Sequence, residues 1–359
     1  MSAIARPRLG FLGVGWIGRH RMEAIRAAGV AEIAAIADSS EDIAAEALKL
    51  APEAVLASSL DELIALGLDG IVIATPSALH ADQAVRALET GAAVFCQKPL
   101  GRSAAEAGRV VDAARKADRL LAVDLSYRHT EAMARIRELV RSGGLGEVYA
   151  ADLVFHNAYG PDKAWFYDPA LSGGGCVMDL GIHLVDLALW LFDFPAVTHV
   201  SSHLFAHGQP LRSRDQVEDY AVAILELETG AVVRIACSWR LAVGRDAIIS
   251  ASLHGTAGGA AMHNVDGSFY DFVAEHCQGT AQTTLASPPD AWGGRAAVEW
   301  AGRLAEGQRF DPRASFLVES ATVIDRIYSP DPGPDGSVSS DRGAGRRGSR
   351  PMQRARISE

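Results

Sequence analysis

The chain is poor in the features that mark several large protein classes. It has four cysteines in 359 residues, Cys96, Cys176, Cys237 and Cys277, and no Cys-x-x-Cys pair. A disulfide framework is therefore not expected, and the thiols suit a reducing, cytoplasmic compartment. The histidines are dispersed, and no His/Cys/Asp group has zinc-ligand spacing, although Asp179-x-x-x-His183 imitates a two-ligand helix motif. No metal is expected. Basic stripes are missing from the body: 34 Lys and Arg face 44 Asp and Glu, a formal charge of -10, and the only basic cluster is in the tail. Nucleic acid, whose phosphates require clustered cations, is not an expected partner. No apolar run approaches the ~20 residues that span a bilayer, and the N-terminus enters the first strand without a secretory core. Neither membrane attachment nor export is expected. Internal repeats are also absent. What is left, 48% hydrophobic and 22% charged residues, is ordinary for a globular enzyme longer than one typical domain.

Residues 8–125 alternate apolar strands with helical stretches. Strands are expected near 8–13, 32–37, 70–74, 92–96 and 120–124, which predicts a doubly wound parallel sheet over 1–125. Ser103-Ala-Ala-Glu106 has capping-box spacing and opens a helix running to Ala117. Lys98-Pro99 therefore falls in a loop at a strand's C-terminal end, where ligands sit in such sheets. From about 145 the pattern changes. After a strand beginning near Gly146, runs near 198–206, 218–228, 231–240, 248–254, 259–265 and 268–274 read as mostly antiparallel strands, with Thr229-Gly230 as a hairpin turn. A long helix over 176–192 interrupts them, and 315–328 closes the fold as another helix. The expected second domain, 126–330, is α+β with a large open sheet; 331–359, rich in Pro, Gly, Ser and Arg, is expected to be a disordered tail.

The strongest local signal is a glycine-spaced turn after the first strand: Gly13-Val-Gly15-Trp16-Ile17-Gly18, followed by a helical stretch. Gly13 permits a tight turn, Gly15 lets backbone approach a pyrophosphate, and Gly18 allows the helix to close on the strand, with the helix N-terminus facing the anion. Asp38, 20 residues beyond Gly18, ends the second strand and suits a pair of ribose hydroxyls. Its charge would repel a 2′-phosphate, and Ser39-Ser40-Glu41 supplies no arginine to hold one. The expected cofactor is NAD rather than NADP.

The helix after Ser172-Gly-Gly-Gly175 is apolar nearly all round, so it should be buried. Its exceptions, Asp179, His183 and Asp186, fall at i, i+4 and i+7, a single polar stripe on an α-helix. Oxidising an alcohol requires a base for the hydroxyl proton and a cation for the developing alkoxide. His183, whose side-chain type titrates near pH 6.5, and Lys98 suit those tasks, while Asp179 suits orienting the ring or binding a substrate hydroxyl.

Together these segments resemble the Gfo/Idh/MocA oxidoreductase family, over about residues 8–328. The resemblance is carried by the glycine turn, by Ala74-Thr75-Pro76-Ser-Ala-Leu-His80, and by Cys96-Gln97-Lys98-Pro99-Leu100, similar to the family's Glu-Lys-Pro signature. It is also carried by Asp168 to His183 with its three glycines, and by Tyr127-Arg128-His129. It implies a catalytic group of Lys98, Asp179 and His183, with Thr75, Pro76, His80 and Gln97 along the cofactor. Arg128 and Trp165 are implied on the substrate side. Gln97 departs from the family's glutamate, and His129 and Glu131 stand where an aromatic residue and a proline are commoner.

The activity expected is NAD-linked interconversion of a secondary hydroxyl and a ketone on a sugar, cyclitol or polyol. Two alternatives stand beside it: an amino-sugar substrate, as in an aminoglycoside-like biosynthesis, suggested by the acidic balance, and a non-catalytic NAD-binding sensor or scaffold, suggested by Gln97. The open second sheet predicts burial against another copy, as a homodimer or homotetramer.

Overall fold

The computed structural model describes residues 6–331 and builds them around two sheets. In the first, six parallel strands, β1 (Arg8–Leu12), β2 (Glu32–Ala37), β3 (Val55–Ala57), β4 (Gly70–Ile73), β5 (Ala93–Cys96) and β6 (Leu121–Val123), lie in the order β3-β2-β1-β4-β5-β6. β4 and β5 are apolar throughout and wholly buried, as strands covered on both faces must be. Only β3, three residues long, escaped the sequence pattern. The connecting helices are α1 (Trp16–Ala28), α2 (Glu41–Leu48), α3 (Leu60–Ala65), α4 (Ser77–Glu89) and α5 (Ala104–Ala117). At α5 half of the expected capping box forms: Ser103 Oγ accepts from Glu106 N at 3.2 Å, while the Glu106 carboxylate accepts instead from Arg102 N at 2.7 Å. The strand order reverses between β1 and β4, so the glycine turn after β1 and the loop after β4 border one crevice.

The second sheet has nine strands: β7 (Val148–Asn157), β8 (Val197–Ala206), β9 (Gln209–Pro210), β10 (Tyr220–Leu227), β11 (Val232–Ser238), β12 (Ala247–Gly255), β13 (Gly259–Asn264), β14 (Phe272–Gln278) and β15 (Ala281–Ala286). All pairs are antiparallel except β7 with β11. The run expected at 268–274 begins later because Ser268 Oγ accepts from Tyr270 N and Asp271 N, a turn that delays the strand. The edge strands β9 and β15 were not expected.

Five helices complete this half of the chain: α6 (Glu131–Arg141), α7 (Pro169–Ser172), α8 (Ile182–Leu191), α9 (Arg295–Ala305) and α10 (Ser315–Tyr328). The helix expected over 176–192 is not uniform, for a π-helical turn, Val177–Gly181, precedes α8. The stretch Pro169–Leu191 is long and apolar enough to cross a membrane, yet 83% of its apolar window is buried inside the fold. Helix α9 has no counterpart in the sequence expectations and leaves its own half of the chain. It covers the first sheet, where Trp300 is fully buried with its ring centroid 5.7 Å from that of Phe95. A Cβ on Gly70 would stand 2.8 Å from the same indole. Helix α9 thus belongs by chain position to the second half and by packing to the first sheet. The tail expected at 331–359 lies, except for Asp331, outside the described residues.

Candidate functional site

The glycine turn is held by contacts that exclude side chains. Gly13 has φ +83°, and a Cβ on it would meet Ala74 O at 2.7 Å; one on Gly18 would meet Gly13 O at 2.1 Å. Asp38 braces the turn, accepting from Val14 N at 2.8 Å with Oδ2 and from Ser40 N at 2.9 Å with Oδ1. Each oxygen keeps a further lone pair, which is what a ribose diol requires. A Cβ on Gly15 would find only Lys163 Nζ, 3.8 Å away. Helix α1 begins there without a side-chain cap and without an acid in its first turn. The donors of that turn face open space, so these residues fit a dinucleotide's diphosphate.

A cleft of about 350 Å³ runs from this turn to the second sheet's helices. Of the residues expected at the site, Gly15, Trp16, Ile17, Thr75, Pro76, His80, Gln97, Lys98, Trp165 and Asp179 line it. Gly13, Gly18 and Asp38 shape the turn without lining the cleft. Its formal charges balance, Lys98 and Lys163 against Asp162 and Asp179, so the chain's acidic excess lies elsewhere.

At the cleft's centre Lys98, just past β5, meets Asp179 of the π-helical turn. Lys98 Nζ donates to Asp179 Oδ1 and to its backbone oxygen, both at 2.7 Å, and Trp239 Nε1 donates to Asp179 Oδ2 at 3.0 Å. The two side chains are 17% and 15% exposed, the remainder enclosed by both halves of the chain. A π-turn places its carbonyls and side chains out of α-helical phase, a distortion that recurs at functional sites.

Gln97 has a physical reason. Its Nε2 donates to Asp124 Oδ2 at 2.8 Å, while its Oε1 accepts from Lys98 N at 3.1 Å. Asp124 is fully buried and also accepts from Arg21 Nε at 2.5 Å and from Ser126 Oγ. A glutamate at 97 would set a second carboxylate against this one, whereas an amide can donate to it. His80, buried, spans Thr75 O at 2.7 Å and Pro99 O at 2.6 Å. Burial draws its pKa down against the pull of those two carbonyls; the ring lies between the loops after β4 and β5, and when neutral it donates to one of the two carbonyls at a time.

His183 is buried against Tyr127, ring centroids 4.9 Å apart, and is not among the residues lining the cleft. Its Nδ1 is enclosed with no hydrogen-bond partner among the described residues. Burial, and then the charges of Lys98 and Arg21, hold its pKa well below the ordinary imidazole value. Arg128 is not brought to the cleft. Its guanidinium grips Asp186, with Nε at 2.6 Å from Oδ2, and lies over the Phe194 ring at 5.2 Å, lining a separate groove. The polar stripe on the helix is therefore split: Asp179 faces the cleft and Asp186 faces Arg128.

Glu218 was missed, because nothing in its spacing distinguishes it from a surface residue before a strand. It is fully buried beneath the three glycines, accepting from Gly175 N at 3.0 Å, Val177 N at 2.8 Å and Tyr328 Oη at 2.9 Å. A Cβ on Gly174 would stand 1.9 Å from Tyr328 Oη, and one on Gly175 1.9 Å from Glu218 O. The glycine run is thus what lets the turn bearing Asp179 settle on this carboxylate. Trp165 stacks on Phe166 at 3.8 Å, and Phe166 and Tyr167 both meet Trp239, giving the cleft an aromatic wall.

Among known proteins, residues 8–125 match the family model described as oxidoreductase family, NAD-binding Rossmann fold, and residues 133–261 match that of the GFO/IDH/MocA C-terminal domain. The chain is 30% identical over 211 residues to D-glucoside 3-dehydrogenase of Escherichia coli K12, a stretch covering 56% of this chain and 60% of that protein. It is 27% identical over 230 residues to inositol 2-dehydrogenase 3 of Saccharopolyspora erythraea, covering 64% of this chain and 65% of the relative. The match spans less than two thirds of either relative. A solved levoglucosan dehydrogenase in complex with NADH superposes with a TM-score of 0.78 at 21% identity, over 90% of this chain and 96% of that one, which establishes a shared fold.

Proposed function

The chain belongs to the Gfo/Idh/MocA oxidoreductase family, and from that premise we propose that it interconverts a secondary hydroxyl and a ketone on a sugar, cyclitol or related polyol with NAD. The observation that carries this reading is the Lys98–Asp179 contact at 2.7 Å, made by residues 81 positions apart within the cleft that begins at the glycine turn. When bound, the nicotinamide supplies the hydride acceptor. The protein's part is to hold the sugar and move a proton.

In this reading Lys98, part-buried and already donating to Asp179, turns a remaining N–H toward the substrate oxygen and stabilises it as it becomes an alkoxide. Asp179 fixes that ammonium and accepts from a neighbouring hydroxyl. His183 is the base: its lowered pKa keeps the ring neutral, and a buried ring nitrogen without a partner is costly to retain unless function uses the ring. Trp165 offers its face to the apolar side of a sugar ring. A panel of polyols and ketoses followed by NADH absorbance tests the reading; turnover of none, by protein that binds NADH, would overturn it.

Asp38 supports NAD over NADP, since a 2′-phosphate would meet a carboxylate already engaged with two backbone amides. A lower Kd for NADP than for NAD would reverse this. We also infer a homodimer or homotetramer through the outer face of the nine-stranded sheet, where Ile224 and Val232 are exposed on adjacent strands. A monomer by light scattering at micromolar concentration would remove it.

A further inference from the structure

We propose that Lys163 is a diphosphate clamp: a cation from the second half of the chain that closes over the cofactor's diphosphate opposite the N-terminus of α1. The inference rests on the dinucleotide reading above and adds to it a ligand from outside the first sheet. Lys163 lies in the segment between β7 and α7, far in sequence from the glycine turn, yet among the described residues other than Gly15's own chain neighbours its Nζ is the one atom within 4 Å of where a Gly15 Cβ would be, at 3.8 Å. It lines the same cleft as Gly15. Among the described residues it forms no ion pair, although Asp162 is its neighbour and most of the described arginines are matched to carboxylates.

On the other side, α1 is thirteen residues long and starts with neither a side-chain cap nor an acid in its first turn. Two sources of positive potential, the helix N-terminus and a free ammonium, thus face each other across a gap lined by glycine backbone. Two positive sources so placed repel each other. A group with two adjacent negative charges satisfies both sides at once. The diphosphate linkage has that charge and that place in a dinucleotide; a neutral sugar does not. Because Lys163 precedes Trp165 and the three glycines that seat Asp179, the same contact couples cofactor occupancy to the segment that walls the substrate cleft.

The test is direct binding of NADH, ADP-ribose and adenosine to the full-length protein, measured by calorimetry for the wild type, Lys163→Gln and Lys163→Arg. The clamp predicts that Lys163→Gln weakens NADH and ADP-ribose by about tenfold, as loss of one charge-assisted contact would. It also predicts that adenosine is unaffected, that Lys163→Arg retains most of the affinity, and that Kd for ADP-ribose becomes less salt-dependent in Lys163→Gln. In the wild type, ADP-ribose but not adenosine should protect the Lys163–Ala164 bond from trypsin. If Lys163→Gln binds ADP-ribose within about twofold of the wild type, less than half a kcal/mol, the clamp is wrong. If the wild type binds neither NADH nor ADP-ribose, the dinucleotide reading itself falls, a result distinct from failure of the clamp.

Discussion

The same buried helical segment carries two carboxylates, each gripped by a cation from elsewhere in the chain, and the two pairs have opposite characters. Lys98–Asp179 closes across the two halves of the molecule and borders an open cleft, leaving one ammonium proton free. Arg128–Asp186 is two-pronged, Asp186 is only 2% exposed, and the guanidinium lies against Phe194. Burial pushes the Asp186 pKa up, and Arg128 opposes that push. One pair has unused hydrogen-bonding capacity beside the cofactor cleft; in the other, both oxygens of the buried carboxylate are engaged by the guanidinium. An ion pair on a core helix is therefore no sign of a site until its free valences are located.

Breaking each pair should separate chemistry from stability. Replacing Lys98 by Ala, or His183 by Ala, is expected to cut turnover by about a hundredfold or more, nearly 3 kcal/mol of transition-state stabilisation, with little change in NADH affinity for His183→Ala. Steady-state kinetics beside NADH titration checks this, and near-normal turnover in either variant would remove that residue's role. Arg128→Ala should do the reverse: turnover of the folded enzyme within a few-fold, but a stability loss of about 3 kcal/mol at neutral pH by urea unfolding, because Asp186 is left charged and unpaired. The folded state raises the Asp186 pKa, so a proton relieves the strain. The deficit should shrink as pH falls through that raised pKa and grow as pH rises.

A gentler variant sharpens the contrast from the cleft side. Gln97→Glu places a carboxylate against buried Asp124 and is expected to cost about 1–2 kcal/mol at neutral pH. One of the two acids would acquire a raised pKa, so the cost should fall at lower pH; thermal melts across pH read it. The smallest effect concerns His183. With its pKa held below the free imidazole value of about 6.5, the acid limb of kcat/KM for oxidation should lie below that pH, and the profile should stay flat through neutrality. An acid limb at or above pH 7 would show that another group limits the rate.

The legible parts of this molecule are those in which neighbouring residues act together. Gly13, Gly15 and Gly18 announce a turn because the chemistry of approach is local, and the strands of the first sheet announce themselves as unbroken apolar runs. Lys98 is legible through its place at a strand end. Arg128 and Gln97 are not, since their roles depend on Asp186 and Asp124, 58 and 27 positions away. Glu218 gives no sign in its own segment; the glycines that pack on it do, but they do not say what lies beneath. Helix α9 has a clear apolar face at Ala296, Ala297, Trp300 and Ala301, yet nothing in the sequence says that this face belongs to the first sheet.

By itself the sequence determined the parallel sheet, the glycine turn with its carboxylate, the mostly antiparallel second sheet and the buried helix that bears Asp179 and His183, because each follows from hydrogen bonding and burial over short spans. The tertiary structure decided which charges meet. Asp179 met Lys98 at the cleft while Asp186, two turns further along the same segment, met Arg128 away from it, and Lys163 came to stand over Gly15 because a loop of the second half crosses to the first. Contacts of that kind depend on how packed elements dispose side chains that are distant in the chain, and no local pattern of residue types encodes such a distance.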